Sequence, residues 1–251
     1  GNGISIIILG GIIAGAPQAL GQSLFGGENL SGLMIFAVIG LLMVAGIVFI
    51  QEGQRRIPVQ YAKRVRGNRL YGGQSTHIPM KINSAGMIPL IFAFSVMLLP
   101  GTIASYLQTS EIGWIAGISG VLVNWFSPAN FIYWLFTFLL VIAFTYFYTI
   151  VMFNQQNLPE TLQKNGGFIP GIRPGRPTAG YLGRILNRLT LAGGLFLAGI
   201  AILPFFVGAA TGVTTIALSS TGLLIVVGVV LDTMKQLESQ LMMRDYESFL
   251  K

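Results

Sequence analysis

Residues 130–153, NFIYWLFTFLLVIAFTYFYTIVMF, run for 24 positions without an Asp, Glu, Lys, Arg or His. At 1.5 Å per residue, a helix of that length covers about 36 Å, more than the ~30 Å hydrocarbon core of a bilayer. Its two flanks differ in charge. Downstream, residues 154–188 carry five Lys and Arg against Glu160 alone, whereas the upstream connection 106–129 contains no basic residue. Loops retained in the cytoplasm keep Lys and Arg, so this run leaves residues 106–129 outside and residues 154–188 inside.

The same alternation extends over the rest of the chain. Further apolar runs of spanning length lie at about 3–20, 31–50, 84–105, 189–209 and 215–234. All fifteen Lys and Arg fall within 51–81, 164–188 and 235–251, and the connections around 20–30 and 205–220 have none. Six crossings return the chain to its starting side, so both ends are expected to be cytoplasmic, in keeping with the polar tail from Asp232 to Lys251. With 53% hydrophobic and 9% charged residues among 251, there is too little polar surface to cover a soluble globule. The expected fold class is all-α, a polytopic helical membrane protein. The first residue is Gly1, and the opening run GNGISIIILGGIIAGA lacks the basic segment of a signal peptide. The chain therefore reads as a fragment whose earlier part is missing.

Charge narrows the function. The net +7 is concentrated in two inner loops: residues 51–81 hold seven bases against Glu52, and residues 160–188 hold five against Glu160. That balance suits an anionic partner, whether nucleic acid, an acidic protein face or anionic lipid. The absence of Cys excludes a disulfide framework and a thiolate metal site. The apolar runs hold no Asp, Glu, Lys, Arg or His except Asp232, at the inner end of the last. Ion-coupled transporters place such groups at membrane depth, so proton coupling within this segment is not expected. No phosphate-binding loop, HExxH pair or GxSxG elbow occurs, and His77 in STHIPMK reads as solvated or structural. Neither enzymatic activity nor a cofactor is expected.

Several spans carry small or helix-breaking residues. Gly11 with Gly15 and Gly194 with Ala198 are small-xxx-small pairs that let helix backbones approach, and Pro89 is expected to bend the third span. In the first inner loop, IPVQYAKRVRGNRLY at 57–71 partly alternates around Gly67-Asn68, which predicts a hairpin of short strands presenting Arg64, Arg66 and Arg69. A docking finger for an anionic surface and a solvated positive-inside loop are equally compatible with this charge. The second loop predicts a short helix from Pro159 to Asn165-Gly166, then the tip FIPGIRPGRP carrying Arg173 and Arg176. A helix starting near Thr178 would set Arg184 and Arg188 four apart on one face.

Six strings carry a resemblance: GNGISIII at 1–8, GQRRIPVQYAKR at 53–64, QSTHIPMKIN at 74–83, GMIPLIFA at 86–93, GGFIPGIRPG at 166–175 and LMMRDYESFLK at 241–251. In order and spacing they resemble the SecY family, the central subunits of bacterial protein-conducting channels. The resemblance implies the fifth through tenth spans of a ten-helix clamshell built from two inverted five-helix halves. Residues 1–20 would be the last span of the N-terminal half. Residues 21–251 would be the C-terminal half, with cytoplasmic loops 51–83 and 154–188 and a cytoplasmic tail 235–251.

The resemblance further implies a pore for unfolded preproteins in the bacterial cytoplasmic (inner) membrane, with a lateral gate that releases transmembrane segments into lipid. Ile4, Ile8, Ile91 and Ile225 align with an apolar ring at the waist of the pore, where β-branched side chains can exclude ions by dewetting. Asn83 aligns with a polar position at the lateral gate, where its amide either bonds across the closed seam or ends the helix. Arg55, Arg56 and Arg173 align with basic positions that engage the ribosome or the motor ATPase SecA. The wording NQQNLPETLQKNGG before the tip departs from the family, with one Lys. Implied partners are SecE, SecG, SecA, the ribosome, signal peptides and preproteins, the N-terminal part of the same subunit and membrane lipid. Two other classes fit the composition: a solute transporter built from an inverted repeat, and a non-conducting scaffold that recruits a partner through its basic loops.

Overall fold

The computed structural model describes residues 30–61, 64–66, 69–71, 75–109 and 112–211, together with isolated positions between 7 and 21 and between 222 and 241. Four of the six apolar runs become helices, α1 (Leu30–Glu52), α2 (Ile88–Leu107), α4 (Phe131–Gln156) and α6 (Arg176–Thr211), with a shorter α3 (Gly113–Trp125) between α2 and α4; the runs expected at 3–20 and 215–234 lie largely outside the described residues. Three helices among the described residues, beginning at Ile88, Phe131 and Arg176, are long and apolar enough to cross a membrane. Leu98, Leu99 and Ile103 on α2 and Leu135, Leu139 and Phe147 on α4 are exposed, as helices solvated by lipid require.

Two compact units divide the chain, one built from residues 50–96 and 139–198, the other from residues 1–49, 97–138 and 199–251. The first contains both basic loops. Strand β1 (Gln54–Tyr61) pairs antiparallel with β4 (Ser75–Lys81) from Gln54↔Lys81 to Gln60↔Ser75. Between them, β2 (Arg64–Arg66) pairs with β3 (Arg69–Tyr71), so the hairpin expected around residues 67–68 forms; those two turn residues lie outside the described ones. Partner numbers sum to 135 in both ladders, hence one register governs them. On the far side of β1, the short β5 (Gly167–Phe168) from the second basic loop pairs at Gln60↔Phe168 and Tyr61↔Gly167. Pro58 is tolerated in the middle strand because β5 reaches only residues 60 and 61, leaving position 58 edge-like on that side.

Burial follows the period of two. Ile57 and Val59 point inward, while Arg56, Pro58 and Gln60 point out. The inward face meets Leu162 of α5 (Leu158–Lys164), Ile169, and Leu182, Ile185 and Leu186 of α6 in one apolar core with Met80. Gly167 completes this core, since a Cβ there would lie 3.1 Å from the Tyr61 ring and 3.3 Å from Leu162 and Val59 side-chain atoms. Two loops separated by two spans in sequence thus share one sheet and one core.

Helix packing in this unit depends on small residues. Of the anticipated pairs, Gly194 lies against Thr145, with a would-be Cβ 3.6 Å away, and Ala198 is fully buried. Among the described residues, nothing lies within 4 Å of a Cβ at Gly11 or Gly15. Thr145 is buried and donates its hydroxyl to the Val141 carbonyl, which satisfies it without water.

The second unit holds the connection between α2 and α4. Phe126 caps α3, stacks on Phe136 at 6.1 Å between ring centroids and faces Gly101 of α2. Trp134 donates to the Pro128 carbonyl at 2.7 Å and its ring packs on Phe205. Helix α3 is absent from the sequence reading because at 13 residues it is too short to register as a span.

Two expectations are corrected. Pro89 does not bend a span: it occupies the first turn of α2, where its missing amide has no intrahelical acceptor to serve, so it starts the helix at residue 88 rather than 84. The interior proline is Pro100, which removes the amide that would donate to the Val96 carbonyl. The helix expected near Thr178 starts within two residues of it, at Arg176, but does not end before the next span: no Pro or left-handed residue interrupts residues 178–203, and the helix runs on past Pro204 to Thr211.

Candidate functional site

The tip of the second basic loop is locked by local geometry. The Ile172 amide donates to the Ile169 carbonyl at 3.0 Å across Pro170-Gly171, and Gly171 has φ +81°, the arrangement of a type II turn. Gly175 at φ +99° turns the chain again into α6. The Thr178 hydroxyl donates to the Arg173 carbonyl at 2.9 Å, tying the helix start to the tip. Arg173 and Arg176 are exposed at either end of this clasp. Before it, α5 ends as the sequence indicated, with Asn165 at the C-cap and Gly166 at φ +69°.

The first loop supplies the remaining arginines. In the β2–β3 ladder Arg64 pairs with Tyr71, Val65 with Leu70 and Arg66 with Arg69. Arg55 and Arg56 are both exposed but, as neighbours on β1, lie on opposite faces. Arg56 shares its face with Pro58 and Gln60, away from the core. Arg55 shares its face with Ile57 and lines a cavity of about 240 Å³ with Tyr181, Arg184, Ile185, Arg188 and Leu189 of α6. The i, i+4 pair Arg184 and Arg188 was legible in sequence, but its convergence with Arg55 was not, since it depends on β1 packing across α6 through Ile57 and Ile185.

The unit formed by residues 50–96 and 139–198 therefore collects twelve of the fifteen cations and only Glu52 and Glu160 among the acids, a net +10 against +7 for the whole chain. Glu160 pairs with Lys164 at 3.9 Å in an exposed i, i+4 contact, which neutralises little of this field. Among the described residues no group of three or more His, Cys, Asp or Glu is placed to hold a metal ion.

Of the four isoleucines singled out by resemblance, Ile4, Ile8 and Ile225 lie outside the described residues. Ile91 stands on the first turn of α2 and is 39% exposed, whereas neighbouring Pro89, Leu90 and Ala93 are buried. Its carbonyl accepts a bond from the Ser95 hydroxyl at 2.7 Å. Asn83 precedes α2 by five residues and is buried. Its Nδ2 donates to the Gly86 carbonyl at 3.1 Å, closing a turn in which Gly86 has φ +65°, while Oδ1 is buried without a hydrogen-bond partner among the described residues. Asn83 thus shapes the entry to α2 without capping it. Sequence reasoning missed Gly193, whose would-be Cβ lies 2.7 Å from the Ile82 carbonyl oxygen and 3.6 Å from the Asn83 Cα. Its only signal was the Gly193-Gly194 doublet within an apolar run.

A family model described as SecY matches residues 1–234. Over its whole length the chain is 46% identical to the protein translocase subunit SecY of Halalkalibacterium halodurans, covering 60% of that protein. It is 47% identical to the corresponding subunit of Thermus thermophilus and 43% identical to that of Thermotoga maritima, covering 57% and 56% of them. The chain spans less than two thirds of the length of these relatives.

Proposed function

The chain belongs to the SecY family of polytopic helical membrane proteins, and from that premise we propose that it forms part of the pore of a protein-conducting channel, moving unfolded preproteins across the bacterial cytoplasmic membrane and releasing apolar segments sideways into lipid. The observation that carries this reading is the joining of both basic loops into one unit of net +10, in a chain whose apolar runs hold no charge except Asp232 at an end. Such a unit can hold an external engine by its anionic surface while the spans supply an uncharged path. Energy comes from the partner, SecA or a translating ribosome, and the chain itself performs no reaction.

In this reading Arg56, Arg64, Arg66, Arg69, Arg173 and Arg176 form the docking set. Arg55 stands apart from them, on the α6 side of β1. Ile4, Ile8, Ile91 and Ile225 form the ring at the waist, and the free Oδ1 of Asn83 is the acceptor at the lateral gate, where a donor from the facing helix would satisfy it. A buried acceptor left unpaired costs about 1–3 kcal/mol, so closure of the gate would gain a comparable amount. The N-terminal part of the subunit completes the clamshell, SecE clamps it and SecG attaches.

A planar-bilayer recording tests the pore. Ile91→Asn in the assembled channel is expected to raise resting ion conductance about tenfold or more, because an amide hydrates a constriction that β-branched carbon keeps dry. Resting conductance equal to that of the wild type would remove Ile91 from the ring.

A further inference from the structure

We propose that α3 and the turn after it form a re-entrant element seated in the outer leaflet of the membrane, with Trp114, Ile118, Val121 and Trp125 packed against acyl chains. The first support is direction. Gly120 of α3 lies beside Gln108, a would-be Cβ 3.9 Å from its Nε2, and a would-be Cβ on Gly101 lies 3.6 Å from the Phe126 Cβ. Helix α3 therefore runs back along the outer end of α2 rather than away from it. Gly101 stands six residues before the end of α2 at Leu107, about 9 Å of helix, so the turn at Phe126 reaches that far below the outer end of the span. Phe136 of α4 stacks on Phe126 there. At 13 residues α3 is too short to cross, so the chain dips into the leaflet and α4 continues inward from the turn.

Surface chemistry selects lipid as the occupant. At 100° per residue the four side chains fall within an arc of about 60° on α3, and each is 46–70% exposed. From Ile112 to Pro159 the chain has no Asp, Glu, Lys, Arg or His, and an uncharged helix with so apolar an outer face is solvated by hydrocarbon rather than by water. Indole rings at both ends of the stripe suit the boundary between acyl chains and headgroups. The stripe is also continuous with the exposed apolar surface of the spans, through Leu107 at the end of α2 and Phe131 at the start of α4. Polar groups of the turn are satisfied within the chain, as a dry setting requires. The Asn130 side-chain amide donates to the Asn124 carbonyl at 3.0 Å and to its Oδ1 at 3.2 Å, Trp134 donates to the Pro128 carbonyl, and the buried Ser119 hydroxyl donates to the Ala116 carbonyl at 3.0 Å. With no Lys or Arg between Ile82 and Gln163, the seat takes acyl chains and makes no ion pair with a headgroup. The inference requires that α2 and α4 cross the membrane, and it holds whether or not the chain conducts protein.

Electron paramagnetic resonance on the full-length subunit with its partner subunits, in phosphatidylcholine vesicles, tests the seat. A single nitroxide is attached at Ile118→Cys, at Val121→Cys or, as an aqueous reference, at Gln60→Cys on the exposed face of β1. Collision with oxygen, which concentrates among acyl chains, is compared with collision with a nickel chelate confined to water. The oxygen-to-nickel ratio at positions 118 and 121 is expected to exceed that at position 60 by about fivefold or more. Both positions are exposed, so labelling leaves the packed side of α3 intact, and co-purification with the partner subunits shows that the labelled subunit is assembled. A ratio at positions 118 and 121 equal to that at position 60 would place this face in water and overturn the proposal. Low collision with both reagents would show that another part of the subunit or a partner subunit covers the face, and would equally overturn it.

Discussion

Alanine at Gly193 is expected to destabilise the unit that joins the two basic loops by about 1–3 kcal/mol, the cost of forcing extra carbon into a packed contact. The obstacle is backbone: a Cβ would lie 2.7 Å from the Ile82 carbonyl oxygen, well inside van der Waals contact, and a carbonyl in a tight turn has no rotamer by which to withdraw. Either α6 moves away from residues 82–83 or the turn closed by Asn83 and Gly86 opens, and both routes disturb the entry to α2. Gly180→Ala on the same helix provides the contrast. It meets nothing within 4 Å and should be neutral or stabilising by up to about 1 kcal/mol through helix propensity. Thermal unfolding of the purified complex, read beside steady-state levels in cells, checks both. A Gly193→Ala protein that melts with the wild type would show that the contact at residue 82 is not constraining.

Arg173→Glu is expected to reduce SecA-driven export into reconstituted vesicles about tenfold or more while leaving assembly with SecE unchanged. The side chain is exposed, so its removal leaves no buried partner unsatisfied. Its position, however, is fixed by a type II turn, two left-handed glycines and the Thr178 bond to its own carbonyl. A rigidly presented cation loses less conformational entropy on docking than one on a mobile tether, and reversing it places like charge against an anionic partner. Raising salt should weaken the wild-type interaction and narrow the gap between the two proteins. Equal losses of export and of assembly would mean that the residue supports the fold rather than docking.

How much of this was legible in sequence depended on whether the signal was local. Spans 31–50, 130–153 and 189–209 could be read because each is a continuous apolar run, and α1, α4 and α6 cover them. The hairpin around residues 67–68 and the helix ending at Asn165-Gly166 were also readable, since alternation and a glycine after a cap are written in adjacent residues. Pro89 was misread because a proline inside an apolar run looks the same whether it bends a helix or begins one; only the start of α2 at Ile88 decides. What sequence could not give was pairing across distance. The Gln60↔Phe168 register, the Arg55, Arg184 and Arg188 cavity and the Gly193 contact each join segments more than a hundred residues apart. The arginines proposed for docking could be nominated from charge and resemblance, yet the opposite facing of Arg55 and Arg56 emerged only once β1 had a core on one side.

The pore reading is tested most directly by a photoreactive side chain at Ile91 in the assembled channel, with a preprotein stalled partway across the membrane. Of the four proposed ring positions, Ile91 is the one that lies among the described residues, and its side chain is 39% exposed. Crosslinking to the stalled polypeptide, abolished when the preprotein is released, is the predicted result. Crosslinking to phospholipid alone, unchanged by the preprotein, would place Ile91 on the outer surface and contradict the account.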